Sequence, residues 1–226
     1  MRHSKRYRAS CEQVEAGKAY AVGEAVELLK SLPVTQFDQT VDLCLKLGID
    51  PKQSDQIVRG SVSLPKGTGK TVRVVAFCGP EEVDGAKEAG ASEAGGDELV
   101  ERVQGGWMDF DVAIASPRLM GKVGKLGRVL GPKGLMPSPK AGTVTKDVSK
   151  AVSEFVAGKL EFRNDAGGNV HVPVGKLSFA VEDLVSNIEF FIKHIESMRP
   201  ASAKGTFIEK VILSSTMGPG LRLNVA

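Results

Sequence analysis

Four stretches of the 226-residue chain carry residue types at spacings that suggest chemistry, and each can be weighed against what that chemistry needs. Gly67-Thr68-Gly69-Lys70-Thr71 has the ending of a loop that wraps phosphate in backbone N–H groups. Such a loop needs a glycine five positions before Gly69 and a helix after Thr71. Leu64 stands at the first place, and Thr71 to Phe77 reads as a strand, so a hinge is the better reading. Gly121, Gly124 and Gly127 follow a second strand, but their spacing is G-x-x-G-x-x-G and not the G-x-G-x-x-G of a dinucleotide site. Lys122, Lys125 and Arg128 lie beside them, and cations beside glycine suit the phosphates of a polymer approached by backbone. The remaining two stretches set apolar side chains between chain breakers: Leu135 and Met136 within Gly131 to Lys140, and Met217 within Thr216 to Gly220. Residues so placed either fold back onto their own domain or lie against a flat apolar surface such as a base or ribose. Gly218, beside Met217, would let a phosphate approach the backbone.

Catalysis lacks its parts. There is no G-x-S-x-G elbow and no H-E-x-x-H, and His3, His171 and His194 do not fall at metal-ligand spacing. Cys11, Cys44 and Cys78 are odd in number, far apart and without a CxxC, as expected of reduced thiols. The expectation is a binding protein with no metal and no cofactor. Its rival is a Rossmann-type enzyme using the middle of the chain, which would purify with a bound nucleotide.

The elements that position these stretches follow from periodicity. Val22 to Leu32 repeats apolar residues at helical spacing and stops at Pro33. Phe37, Val41, Leu43, Leu45, Leu47 and Ile49 share one face of a strand, and Ile57 to Leu64 forms another, which suggests an antiparallel hairpin. After the 65–70 linker the grammar changes to strand 71–77, helix 81–89, a helix holding Leu99 and Val103, strand 110–115 and helix 146–157 with Val148, Val152, Phe155 and Val156 on its apolar face. Strands alternating with helices imply a parallel sheet covered on both faces. Strand grammar returns at Leu160 and Phe162, turns at Gly167-Gly168 and continues through Val170, Val172 and Val174. The helix from Val181 to Met198 and strands 207–213 and 221–225 close the chain. The fold class expected is therefore α/β of α+β type: one domain from residues 1–66 plus 159–226, and a second inserted at 67–158.

Composition agrees. Hydrophobic residues at 42%, charged residues at 25% and a net charge of +3 exclude disorder as the overall state. Mean hydropathy is −0.07, and no uncharged run of roughly 18 residues occurs, so no membrane partner is expected. No apolar segment follows Arg2, Lys5, Arg6 and Arg8, which points away from a secretory signal and towards a cytoplasmic protein. The small net charge hides a division. Residues 116–145 hold six cations and no acid, while residues 81–111 hold ten acids against Lys87 and Arg102. A basic segment invites a polyanion; opposite charges solvating two faces of one domain is the plainer alternative.

Several motifs in order carry a resemblance. They are Gln36-Phe37-Asp38-Gln39-Thr40-Val41-Asp42, Arg128-Val129-Leu130-Gly131-Pro132-Lys133-Gly134-Leu135-Met136-Pro137 and Lys159-Leu160-Glu161-Phe162-Arg163-Asn164-Asp165. Val170-His171, Gly175-Lys176-Leu177-Ser178-Phe179 and Thr216-Met217-Gly218-Pro219 complete them. Over essentially its whole length the chain resembles the L-one family of bacterial ribosomal proteins, which sits on the mobile lateral stalk of the large subunit. The resemblance implies a discontinuous split β-α-β RNA-binding domain with an inserted Rossmann-like three-layer domain. It implies RNA contacts from Phe37, Thr40, Arg163, His171, Lys176, Thr216, Met217 and Gly218, and secondary ones from Arg128, Lys133 and Gly134. The implied partners are the large-subunit rRNA stalk, exit-site tRNA whose release is assisted, and the protein's own operon mRNA, whose translation is repressed. A monomer is expected outside the ribosome. A free repressor that never resides on the ribosome is a third reading, separable by sedimentation.

Overall fold

A computed structural model describes residues 4–15, 17–33 and 35–224; Arg2, His3 and Val225 of the expectations above lie outside them. In chain order the elements are α1 (Lys5–Glu12), β1 (Ala19–Tyr20), α2 (Val22–Ser31), β2 (Thr40–Leu47), β3 (Arg59–Ser63), β4 (Val74–Phe77), α3 (Val83–Glu88), β5 (Glu93–Gly95), α4 (Asp97–Gln104) and β6 (Val112–Ala115). They continue with α5 (Met120–Val123), α6 (Gly127–Leu130), α7 (Val148–Val156), β7 (Lys159–Arg163), β8 (Asn169–Lys176), α8 (Val181–Ser197), β9 (Ile208–Ser215) and β10 (Leu221–Leu223). This is a mixed α/β protein whose chain divides into two units, Met1–Gly69 with Phe162–Ala226, and Lys70–Glu161.

In the first unit, one sheet runs β1-β10-β9-β2-β8. Strict alternation in β2 buries Val41, Leu43, Leu45 and Leu47 and turns Thr40, Asp42, Cys44 and Lys46 to the other, open face. Helices α2 and α8 cover the apolar face, with Leu184, Ile188, Phe191, Ile192 and Ile195 of α8 buried. Each such side chain contributes roughly 1.5–3 kcal/mol on burial. The expected hairpin between β2 and the next strand does not form. β2 has antiparallel partners on both edges, β8 and β9, and β3 pairs instead with β7. Both edges of β2 are taken by distant strands, and the connection from Gly48 to Val58 is long and holds a side-chain network of Asp50, Gln53 and Gln56 without the two-residue turn chemistry that closes a hairpin.

One irregularity matters for the open face. The β2–β8 register jumps from Val41 opposite Gly175 to Asp42 opposite Pro173, leaving Val174 as a surplus residue. Val174 and Gly175 are therefore both buried, and Lys176 returns to the open side. Only glycine fits at the jump, because a Cβ on Gly175 would stand 2.8 Å from Leu184 Cδ2.

The second unit has the parallel sheet β5-β4-β6. All four residues of β4 are buried, and its two faces build two cores. Val75 and Phe77 pack with α4, Val123, Leu126 and Leu130, whereas Val74 and Ala76 pack with Ala86 and the Val148, Val152 and Phe155 stripe of α7. Three expectations are corrected. The first strand begins at Val74, not Thr71, and a short β5 lies between the two expected helices. Val156 is 41% exposed, because α7 buries its stripe only through Phe155. The basic segment, to which the sequence reading assigned no elements, contains the helices α5 and α6, since Val123, Leu126 and Leu130 recur at the spacing that reaches the core.

Candidate nucleic-acid interface

The start of β2 is held by two neighbouring segments. Asp38 accepts hydrogen bonds from the Ser178 N–H at 3.2 Å and the Ser178 hydroxyl at 2.7 Å. The Gln39 carbonyl accepts from the Leu177 N–H at 2.8 Å, and its side-chain oxygen accepts from the Met217 N–H at 3.0 Å. Thr40 donates its N–H to Thr216 Oγ1 at 3.0 Å and accepts at its carbonyl from the Thr216 N–H at 3.0 Å. Lys176 Nζ donates to Thr40 Oγ1 at 2.9 Å. These bonds tie the segments 38–40, 176–178 and 216–217 together at one end of the sheet.

That scaffold carries two large apolar side chains outward. Phe37 is 52% exposed and Met217 is 48% exposed. Alternation alone puts Phe37 on the buried face; it lies ahead of β2, where the chain is not yet extended, and so escapes the core. Met217 does not fold back as a plug. Gly218 serves the turn itself: its N–H donates to the Ser215 carbonyl at 3.1 Å, and a Cβ there would stand 2.4 Å from Ser215 Oγ.

Arg163 and His171 lie elsewhere. His171 is opposite Cys44, so it shares the open face with Thr40 and Lys176 but stands five residues, roughly 16 Å, along the strand from Lys176. It approaches Asp165 at 3.6 Å in the turn between β7 and β8, and Arg163 closes β7 just before that turn with its side chain exposed. Asp165 is the organiser. The Asn169 side-chain amide donates to it at 3.0 Å, and the N–H groups of Asn169 and Gly167 donate at 2.7 and 2.8 Å. These donors, Asn169 first, hold its carboxyl down at about 2, with the nearby His171 adding to the effect.

The open face also contains residues that the sequence reading did not single out. Register sets Asp42 beside Ser214, Cys44 beside Ile212, and Lys46 beside Lys210, while Arg222 stands opposite Ile212 on β10. Ile212 is 36% exposed although it sits in the interior of a strand. The signal was present as the every-second residue of β9 and β10, once β9 was known to lie next to β2.

In the second unit Arg128, Lys133 and Gly134 are exposed, and Gly134 adopts a left-handed φ of 72°. Part of the positive charge nearby is already paired, since Lys122 Nζ meets Asp97 at 2.7 Å. Leu135 and Met136 pack against the α4-side core, so these two are plugs and not contact surfaces. Among the described residues no group of His, Cys, Asp and Glu could hold a metal ion.

An open sheet face of cations, hydroxyls and a carboxylate, ended by two apolar tips on a hydrogen-bonded backbone, suits the class of proteins that contact another macromolecule. Comparison with known proteins gives that class a family. The model of the ribosomal protein L1p/L10e family matches residues 28–219. A protein of Kosmotoga olearia named large ribosomal subunit protein uL1 is 53% identical, covering 99% of this chain and 96% of its own. One of the same name from Thermus thermophilus is 51% identical over 99% of this chain and 98% of its own. The chain belongs to the ribosomal protein L1p/L10e family. It is accordingly a structural, non-enzymatic ribosomal protein, and the dinucleotide-enzyme reading of its middle segment is set aside.

Proposed function

We propose that this protein is the component of the large ribosomal subunit that holds the stalk rRNA, and that it does so through Phe37, Thr40, Lys176, Thr216, Met217 and Gly218. Arg163 and His171 extend the contact along the sheet, and Arg128, Lys133 and Gly134 add secondary contacts. In this reading the first unit is a discontinuous RNA-binding domain, the second an inserted Rossmann-like domain, and the linkers between them a hinge. The same surface binds the protein's own operon mRNA and represses its translation. A swinging stalk assists release of deacylated tRNA from the exit site in the cytoplasmic ribosome. Off the ribosome the protein is a monomer.

The observation that carries the reading is the backbone network joining Gln39 and Thr40 to Thr216 and Met217, because it ties together by hydrogen bonds the segments that bear the exposed Phe37 and Met217. Recognition by shape needs a rigid template, and apolar tips can stack on bases or pack on ribose. The test is affinity for a stalk rRNA fragment against an unrelated structured RNA of equal length, at matched salt. A preference of at least a hundredfold is expected; equal binding would reduce the surface to a general polyanion site. Sedimentation of the tagged protein with large subunits decides residence on the ribosome, and a reporter fused to the operon leader reads repression.

A further inference from the structure

We infer that Asp42 is a specificity-determining acceptor: its carboxylate takes a hydrogen bond from a neutral donor of the bound RNA, either a nucleobase amino group or a ribose 2′-hydroxyl. The inference rests on the RNA-binding reading above and concerns a residue that reading does not use.

Asp42 stands on the open face of β2, the strand next to the β8 edge of the sheet, between Pro173 on β8 and Ser214 on β9. Proline has no N–H to offer, and no described residue donates a hydrogen bond to the carboxylate. Two basic side chains lie near it, and both are turned to other partners: Lys176 donates to Thr40 Oγ1 at 2.9 Å, and His171 approaches Asp165. The carboxylate is also half-buried, and burial pushes its pKa up against the opposing pull of His171 and Lys176. So an acceptor with four lone-pair positions and reduced hydration lies in the middle of a face flanked by the binding residues Thr40, Lys176 and His171.

Covering this face with RNA would strip the remaining water from Asp42. A phosphate there offers no donor and adds a like charge, so a backbone strand is excluded from this spot. Amino groups and 2′-hydroxyls are the neutral donors that RNA exposes on accessible edges, and a carboxylate left without one on burial is costly. The cations of the face then select phosphate at its edges, and Asp42 selects a donor edge at its centre.

The test measures anisotropy of a labelled stalk rRNA fragment with the full-length protein at constant salt. Asp42→Ala removes both acceptor oxygens and should weaken binding roughly tenfold. Asp42→Asn keeps the shape and one acceptor oxygen, and should fall between that variant and the original protein. The fragment is then scanned with 2′-deoxy nucleotides in one arm and with inosine, purine riboside and zebularine, which lack amino groups, in the other. One position in one arm should weaken binding of the original protein by a similar factor and leave Asp42→Ala unaffected. Unchanged or tighter binding by Asp42→Ala overturns the inference, because the carboxylate would then be only a repulsive neighbour. Weaker binding with no coupled nucleotide in either arm also overturns it, showing a structural role. Failure of the unaltered protein to bind the fragment overturns the RNA reading itself, a different result.

Discussion

Two regions compete for the description of a polyanion surface, and they are built in opposite ways. Residues 116–145 have the charge: six cations without an acid. Yet Lys122 is paired with Asp97, and the apolar residues of the segment, Leu126, Leu130, Leu135 and Met136, face its own core. The end of β2 has few charges, but its backbone groups are held by Thr216, Gln39 and Leu177, and its large apolar side chains face outward. The lesson is that charge composition locates where a protein is solvated, whereas a template for a structured ligand is marked by side chains that stay exposed although the chain beneath them is immobilised.

The largest effect expected from this contrast is at the turn. Met217→Asp should reduce affinity for stalk rRNA about 10- to 100-fold, roughly 1–3 kcal/mol by comparison with single stacking contacts, with an unchanged circular dichroism spectrum. Undiminished affinity in the folded variant would remove the turn from the interface. Next is removal of the second unit. A chain lacking residues 70–161, bridged by a short glycine linker, should stay folded and bind the fragment within about tenfold of the full-length affinity, because the expected secondary contacts are few. An unfolded or non-binding product would show that the units are not separable.

A smaller effect is expected from the basic segment. Changing Lys122, Lys125 and Arg128 together to glutamine should flatten the slope of log affinity against log salt by less than about one unit, where each phosphate contact contributes about 0.7–0.9. A flattening of two units or more, with most affinity gone, would make the second unit the main surface. The smallest effect is at the β7–β8 turn. The Asp165 carboxyl is held at about 2, below its ordinary value near 4, so folding favours its ionised form. The stability it contributes is complete above about pH 4 and is lost as pH falls through about 2. Urea midpoints measured across that window should decline less in Asp165→Asn than in the unaltered protein. Equal declines would mean that other carboxylates govern acid unfolding.

Much of the fold was legible in the residues. The alternation in β2 and the 3.6-residue stripe of α8 each named the buried face correctly, because one apolar side of an element must find cover. The continuous apolar run around Val74 to Phe77 likewise read as a strand covered on both sides. Strand pairing was not legible. Nothing local to residues 57–64 says that β3 will join β7 instead of β2, since that choice depends on which distant strands occupy the edges of β2. The same holds for the site. Met217 announced itself by its position between breakers, and Thr216 by its neighbours, but Asp42, Lys210, Ile212 and Arg222 acquire meaning only when register lays them side by side. Phe37 was misread because alternation was extended three residues before β2 begins.

The surplus Val174 in β8 amounts to a change of parity in the strand. In a strict two-residue period, Lys176 would follow Val170, Val172 and Val174 to the inner side and aim its ammonium at the helix-covered core. A single deletion between Pro173 and Lys176 would take out the surplus residue and, by restoring strict alternation, still leave the lysine on the open side opposite Thr40. Segment length at this point carries information that residue identity does not. Anyone transplanting the β2–β8 pair onto another sheet would have to keep the bulge together with its odd residue, because a straightened strand with every residue retained would give Lys176 to the wrong side of the protein.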